Sequence, residues 1–239
     1  NSRMANAIAD DENPETRGAW SYADGPWDAE RSTREFIAAL PAYRAHGLLA
    51  VCLNLSGGSP QGYSWNQPWK ICGFNADGTI KPAWAARLES VIKASAAQGM
   101  VVILGLFYGK QSGTFRDETA VKAAVTNTVD WLLQKNATNV LLEIGNEVDL
   151  ENVWAYDIIG AGRCHELIEL AKQRGYEVVE RHIKPEELTG FTECFLTGSA
   201  AEVTPVSEIG SWRFKPGALT ETLMNAYADE VRGVATVSA

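Results

Sequence analysis

No apolar run in these 239 residues approaches the ~20 needed to cross a bilayer as a helix, so no membrane span is expected. Basic residues are in deficit, 21 Lys and Arg against 30 Asp and Glu, for a net charge of -9. That balance speaks against nucleic acid and against an anionic membrane surface, because both are held by cations that neutralise phosphates. Neutral small molecules suit such a chain better. Cysteines are few, and Cys52, Cys72, Cys164 and Cys194 lack the short paired spacings of a zinc site, so they read as thiols that leave the compartment open. His165 and His182 match no metal spacing. The chain opens on Asn1 without Met and without a charged-then-apolar leader, and the expectation is that its natural start lies upstream. No internal repeat and no Ser/Gly-rich linker divides it.

What the sequence does contain is an alternation of short apolar runs and amphipathic stretches. Composition is ordinary for a globular chain, 46% hydrophobic and 21% charged, with room for one α/β domain or two small ones. Arg3 to Ile8 reads as the end of a strand, and DDENPETR as a loop leaving a sheet. Glu30 to His46 carries Phe36, Ile37, Leu40 and Tyr43 at helical spacing, with Gly47 as the stop and His46 at the helix's negative end. LLAVCLNL (Leu48 to Leu55) follows as a buried strand, and SGGSPQGYSWNQPW as a long polar, aromatic loop. Lys81 to Gly99 repeats the helix, with Pro82 in its first turn and Leu88, Val91 and Ile92 facing in. MVVILGLFYG is a third strand, Asp117 to Asn136 a third helix, and NVLLEIGNEVD a fourth strand. A strand–helix period of roughly 30 to 45 residues is the signature of βα units around a parallel sheet. After the helix CHELIELAKQRG (Cys164 to Gly175) the texture changes. YEVVERHI reads as a short strand, KPEEL as a helical turn, FTECFLTGSAAEVTPVSEIG as two strand runs joined by a small-residue turn, and the segment after Lys215-Pro216-Gly217 as a last helix through Met224, Tyr227 and Val231.

The chemistry-bearing stretch is NVLLEIGNEVD. Val140, Leu142 and Ile144 point one way in a period-two strand and Leu141, Glu143, Gly145 and Glu147 the other, which places two acids on one face. A carboxylate at the C-terminal mouth of a parallel strand is the ordinary position of a catalytic acid in α/β folds, and a solvated strand end is the alternative. Asn54 and Tyr108 end their strands and would line the same mouth.

With those elements placed, residues 1 to about 165 resemble the first half of a (β/α)8-barrel glycoside hydrolase of the large cellulase-like clan. The carrying residues are RMANAIADDENPETR, LNLSGGSPQGYSWNQPW, GMVVILGLFYG, DWLLQKNATNVLLEI and GNE. The resemblance implies that Glu147, directly after Asn146 at the end of the fourth strand, is the general acid/base. Trp65, Trp69, Asn54 and Tyr108 would be substrate-binding residues, and no cofactor is implied. Trp20, Trp27, Trp65 and Trp69 would either stack on sugar rings or pack their loops. Retaining hydrolysis needs a second carboxylate roughly 5 to 5.5 Å from the first. The clan's nucleophile lies on the seventh strand, outside this chain, and Glu180, Glu193, Glu202 and Glu208 belong to other sequence.

That other sequence, residues about 167 to 232, resembles the class IV aminotransferases that use pyridoxal phosphate, particularly the branched-chain amino-acid type. LIELAKQRGYEVVERHIKPEEL, FTECFLTGSAAEVTPVSEIG and RFKPGALTETLM carry the likeness. It implies that Gly198 and Ser199 bind the cofactor phosphate and that Ala200 follows as a backbone contact. The family's Schiff-base lysine and pyridine-facing Glu lie upstream of its final third, outside this chain. Lys172, Lys184 and Lys215 read as surface lysines, and pyridoxal phosphate enters only if the tail's parent activity survives.

The expectation is therefore an α/β chain with two regions: residues 1–165 as half of a (β/α)8 barrel, and 166–239 as an α+β segment of the fold-type-IV aminotransferase kind. Both families would accept HELIELAKQRG at the seam. Functionally this is an incomplete glycoside hydrolase fused to an aminotransferase tail. The alternatives are a branched-chain aminotransferase fragment and a non-catalytic carbohydrate-binding or non-functional chimera. A carbohydrate is the expected substrate or ligand, and the two open sheet edges invite self-association.

Overall fold

The β-branched and leucine runs form a parallel sheet. The computed structural model describes residues 2–3, 5–57, 70–178, 184–198 and 202–232. Two compact units divide at Val178/Val179. In the first, β1 (Ser2–Arg3), α1 (Pro14–Arg17), α2 (Ala29–Ala45), β2 (Ala50–Asn54), α3 (Pro82–Ala97), β3 (Val101–Phe107), α4 (Glu118–Gln134), β4 (Val140–Gly145) and α5 (Cys164–Gln173) follow in order. The strands lie side by side as β1-β2-β3-β4, every neighbour parallel.

Local chemistry explains the boundaries. Asp28 and Asp117 cap α2 and α4 by accepting from the backbone N–H of Arg31 and Ala120. Pro82 starts α3, where its missing N–H costs nothing. Gly47 and Gly99, at φ +87° and +64°, take the left-handed turn just past α2 and α3. The strand expected over Arg3 to Ile8 is shorter than that: Ala5–Ile8 is a 3-10 turn. Its carbonyls are taken by side chains, with the Thr33 hydroxyl donating to Ala7 O at 2.8 Å and Arg87 Nε to Ile8 O at 2.9 Å.

Period two is visible in the burial of the sheet. Val51, Leu53, Val102, Leu104, Leu106 and Val140 are buried in one core with Leu40, Leu88, Val91, Val121, Val125, Val129 and Leu132 from the helices. On the opposite face Leu141 is 58% exposed, and Cys52, Ile103 and Glu143 are half-buried.

α5 belongs to this unit by packing. Leu167 and Ala171 enter the same core. Arg163, just before the helix, donates to both Glu118 carboxylate oxygens of α4 at 2.9 and 3.0 Å. Arg174 pairs with Asp130 of α4, and the Tyr176 hydroxyl donates to Val140 O of β4 at 2.6 Å. The helix at the seam is thus the helix that follows β4 in the layer.

The second unit holds a 3-10 turn over Pro185–Gly190, where KPEEL predicted a helical turn. Two antiparallel hairpins follow, β5 (Phe195–Gly198) with β6 (Glu202–Pro205) and β7 (Glu208–Ile209) with β8 (Trp212–Arg213). The last element is α6 (Ala218–Arg232). Of the strand expected in YEVVERHI, residues 176–178 are not extended ladder and 179–183 lie outside the described residues. Among the described residues no helix is long and apolar enough to cross a membrane.

Candidate functional site

At the C-terminal ends of the strands, register sets Asn54, Gly105 and Glu143 in one row, since Asn54 pairs with Gly105 and Gly105 with Glu143. All three point to the face away from the helices. Gly105 is there for space: a Cβ on it would lie 2.7 Å from Asn54 Oδ1 and 3.0 Å from Glu143 Oε2. Asn54 is 3% exposed, and its Oδ1 is buried without a hydrogen-bond partner. Next along the mouth, Tyr108 lies over Gly57, whose φ of +85° and bare Cα let the ring close onto the chain. The Ser56 hydroxyl donates to Leu106 O at 2.9 Å, and Leu55 N to Gly105 O at 2.8 Å, which fixes the end of β2 against β3.

Glu147 sits differently from the period-two expectation. The ladder runs on through Asn146, whose N–H donates to Phe107 O at 3.1 Å. The strand itself ends at Gly145, and Glu147 adopts a left-handed φ of +55° in the turn that follows. A turn breaks the alternation, so Glu147 does not continue the Glu143 row. It is exposed, and its backbone carbonyl accepts from Leu150 N at 3.1 Å. Trp65 and Trp69 lie outside the described residues. Trp20 is buried and Trp27 packs against it edge-on at 4.9 Å, with Tyr22 stacked on Trp27 and Arg31 over the Tyr22 ring at 3.9 Å. Those two tryptophans pack their loop instead of offering faces to a ligand. His46 does cap its helix: Nδ1 lies 2.8 Å from Ala42 O. The four cysteines form no disulfide, and burial pushes the Cys72 thiol up to about 11, which makes it inert.

In the second unit, Gly198 forms the last ladder pair of the β5–β6 hairpin, opposite Glu202. Ser199 and Ala200, in the connection between them, lie outside the described residues. Glu193 has a structural task that the sequence did not reveal. Its Oε2 accepts from Gly217 N at 3.0 Å, Thr220 N at 2.9 Å and the Thr220 hydroxyl at 2.6 Å, closing the N-terminus of α6. The Thr220 hydroxyl, then the backbone N–H groups, hold this carboxyl below the usual carboxylate range. Lys184 and Lys215 are the lysines after Val178, and the Lys215 backbone N–H is spent on Thr192 O at 3.2 Å.

A comparison with known families falls on this part of the chain and on α5 before it. Residues 164–209 match the family model for class IV aminotransferases, so the tail is an aminotransferase-like segment. It straddles the two units, beginning at the first residue of α5 and running through β7. Among curated relatives, the chain is 39% identical over 70 residues to the branched-chain-amino-acid aminotransferase of Pseudomonas aeruginosa, covering 28% of this chain and 23% of that protein. It is 30% identical over 115 residues to a probable branched-chain-amino-acid aminotransferase of Aquifex aeolicus, 47% of this chain and 37% of the relative. A probable branched-chain-amino-acid aminotransferase of Rickettsia felis is 46% identical over 43 residues, 18% of this chain and 15% of its own length. The chain thus spans between about a seventh and little more than a third of the relatives it matches. None of these named relatives is a glycoside hydrolase. No solved structure matches the chain.

Proposed function

We propose that the chain is a fragment of a branched-chain amino-acid aminotransferase lineage, carrying the hairpin that binds the phosphate of pyridoxal phosphate without the groups that work on its ring. The family match over 164–209 carries this reading, because the hairpin closed by Gly198 and Glu202 falls inside it. A turn of small residues at a hairpin end offers backbone N–H groups and a hydroxyl, which is the chemistry a phosphate dianion takes. Gly198, Ser199 and Ala200 are the residues that would hold it. When bound, the cofactor supplies an electron sink for amino-group transfer. Among the described residues of the second unit, Glu193 is engaged at α6, and no contact brings Lys184 or Lys215 to the hairpin. Transamination by this chain alone is therefore not expected. Equilibrium dialysis with pyridoxamine phosphate, which has no aldehyde to react with surface lysines, tests the phosphate site. Saturable retention reversed by inorganic phosphate and weakened by Ser199→Ala is expected. Retention indifferent to phosphate would overturn the reading.

A second reading rests on the first unit. Four parallel strands in sequence order, each joined by a helix, with Glu147 just beyond the fourth, support half of a (β/α)8 barrel in which Glu147 would act as acid/base. Its sugar contacts would be Asn54, Tyr108, Trp65 and Trp69, and its unpaired edges a route to self-association. Release of phenolate from aryl β-glycosides by the whole chain, absent in Glu147→Gln, would support it. Equal background from both proteins would sink it.

A further inference from the structure

Two acceptor oxygens, Asn54 Oδ1 and a Glu143 carboxylate oxygen, meet over Gly105, and no described residue places a donor between them. Asn54 Oδ1 is buried and unpartnered, in a side chain with 3% of its residue surface exposed. Glu143, half-buried, makes no hydrogen bond and no ion pair with the described residues. The imaginary Cβ of Gly105 touches both oxygens, at 2.7 and 3.0 Å, so they converge on one spot of the sheet face. An interior strand gives up side-chain packing to keep a glycine, and a close approach at that point is the usual reason.

The chemistry of the pair selects what fits between them. A carboxylate and an amide carbonyl only accept, so an anion is repelled. A hydroxyl has one O–H and would satisfy one oxygen while leaving the other without a donor, and a water, with two, would bridge both but leave the carboxylate charge uncompensated. A protonated amine has three N–H donors, enough for both oxygens and a solvent water, and its charge compensates the carboxylate. The net charge of -9 adds a field that draws cations in.

We propose that the Asn54–Gly105–Glu143 row binds the ammonium group of a small organic amine, donating to Asn54 Oδ1 and to the Glu143 carboxylate above the bare Gly105. The site lies wholly within the first unit and is independent of the reading given to the tail. An ammonium on two acceptors with little else around it binds weakly, in the millimolar range.

The test is an amide NMR titration of the isotope-labelled whole chain, followed at the Asn54 side-chain amide signal. The probes are ethylammonium chloride, potassium chloride and ethylene glycol at matched ionic strength and neutral pH. Ethylammonium shifts the Asn54 signal saturably, and the other two do not. Glu143→Gln, which keeps shape and removes charge, moves the midpoint up by at least about tenfold. Gly105→Ala, which fills the floor, abolishes the response. If Gly105→Ala fails to fold, the isosteric Glu143→Gln carries the comparison. No saturable shift with ethylammonium, an unchanged midpoint in Glu143→Gln, or an equal response to potassium would each overturn the proposal.

Discussion

Gly105→Ala tests whether Asn54 and Glu143 really close over the third strand. The glycine is not in the left-handed region, so alanine itself is comfortable on this backbone. Restricting the unfolded chain would by itself stabilise by ~0.5–1 kcal/mol. Against that stands a contact of 2.7 Å to Asn54 Oδ1, closer than real Cβ atoms come, from a side chain that is 3% exposed and has nowhere to swing. Glu143, half-buried, can turn outward. Forcing an extra methyl into a packed site costs ~1–3 kcal/mol, so the net loss is about 1–2 kcal/mol. Urea unfolding followed by tryptophan fluorescence reads it, since Trp212 is the one tryptophan beyond Val178 and the signal comes mainly from the first unit. Combining the change with Asn54→Ala removes the clashing oxygen, and the double variant should be more stable than the sum predicts by about 1 kcal/mol. A Gly105→Ala protein as stable as the parent, or strict additivity with Asn54→Ala, would refute the geometry.

Leu167→Ala removes a fully buried side chain of α5 and should lower the stability of the first unit by ~2–5 kcal/mol. An unchanged fluorescence transition would mean that α5 is not part of that core. Gly78→Ala meets a φ of +87° and the Ala120 carbonyl of α4, and a loss of at least about 2 kcal/mol is expected in the same assay. Glu193 is a carboxyl held below its ordinary range, so its cap on α6 contributes at neutral pH and is lost as pH falls through the depressed folded-state value. Hydrogen exchange should show α6 losing protection on acidification, and Glu193→Gln should already show reduced protection at neutral pH; equal protection in both proteins throughout would contradict the cap.

Much of the first unit was legible because its signals are local. The helix over Pro82–Ala97 announces itself by Pro82 at one end and Gly99 past the other, and the α4 start by Asp117. Leu141 is exposed and Val140 buried as period two requires. The alternation failed at Glu147 because a turn begins after Gly145, and hydropathy does not report a left-handed residue. Gly105, a glycine inside the apolar run VVILGLF, gave no sign of the mouth, because its partners Asn54 and Glu143 are distant in sequence and meet only through sheet register. Glu193 carried no local sign of its role, since its partners Gly217 and Thr220 are 24 and 27 residues away. The helix over Cys164–Gln173 was readable as acceptable to both resembled families because an amphipathic stripe of Leu167, Leu170 and Ala171 packs on any apolar groove, and α5 uses it on the α4 side of the first unit.

The proposed phosphate site of the aminotransferase-like tail consists of Gly198, Ser199 and Ala200. Its most direct measurement is amide NMR mapping of the labelled chain as pyridoxamine phosphate is added. Saturable shifts at Gly198, Ser199 and Ala200 that reverse with inorganic phosphate are predicted. Shifts scattered over the surface, or a silent Gly198 at saturating ligand, would contradict it.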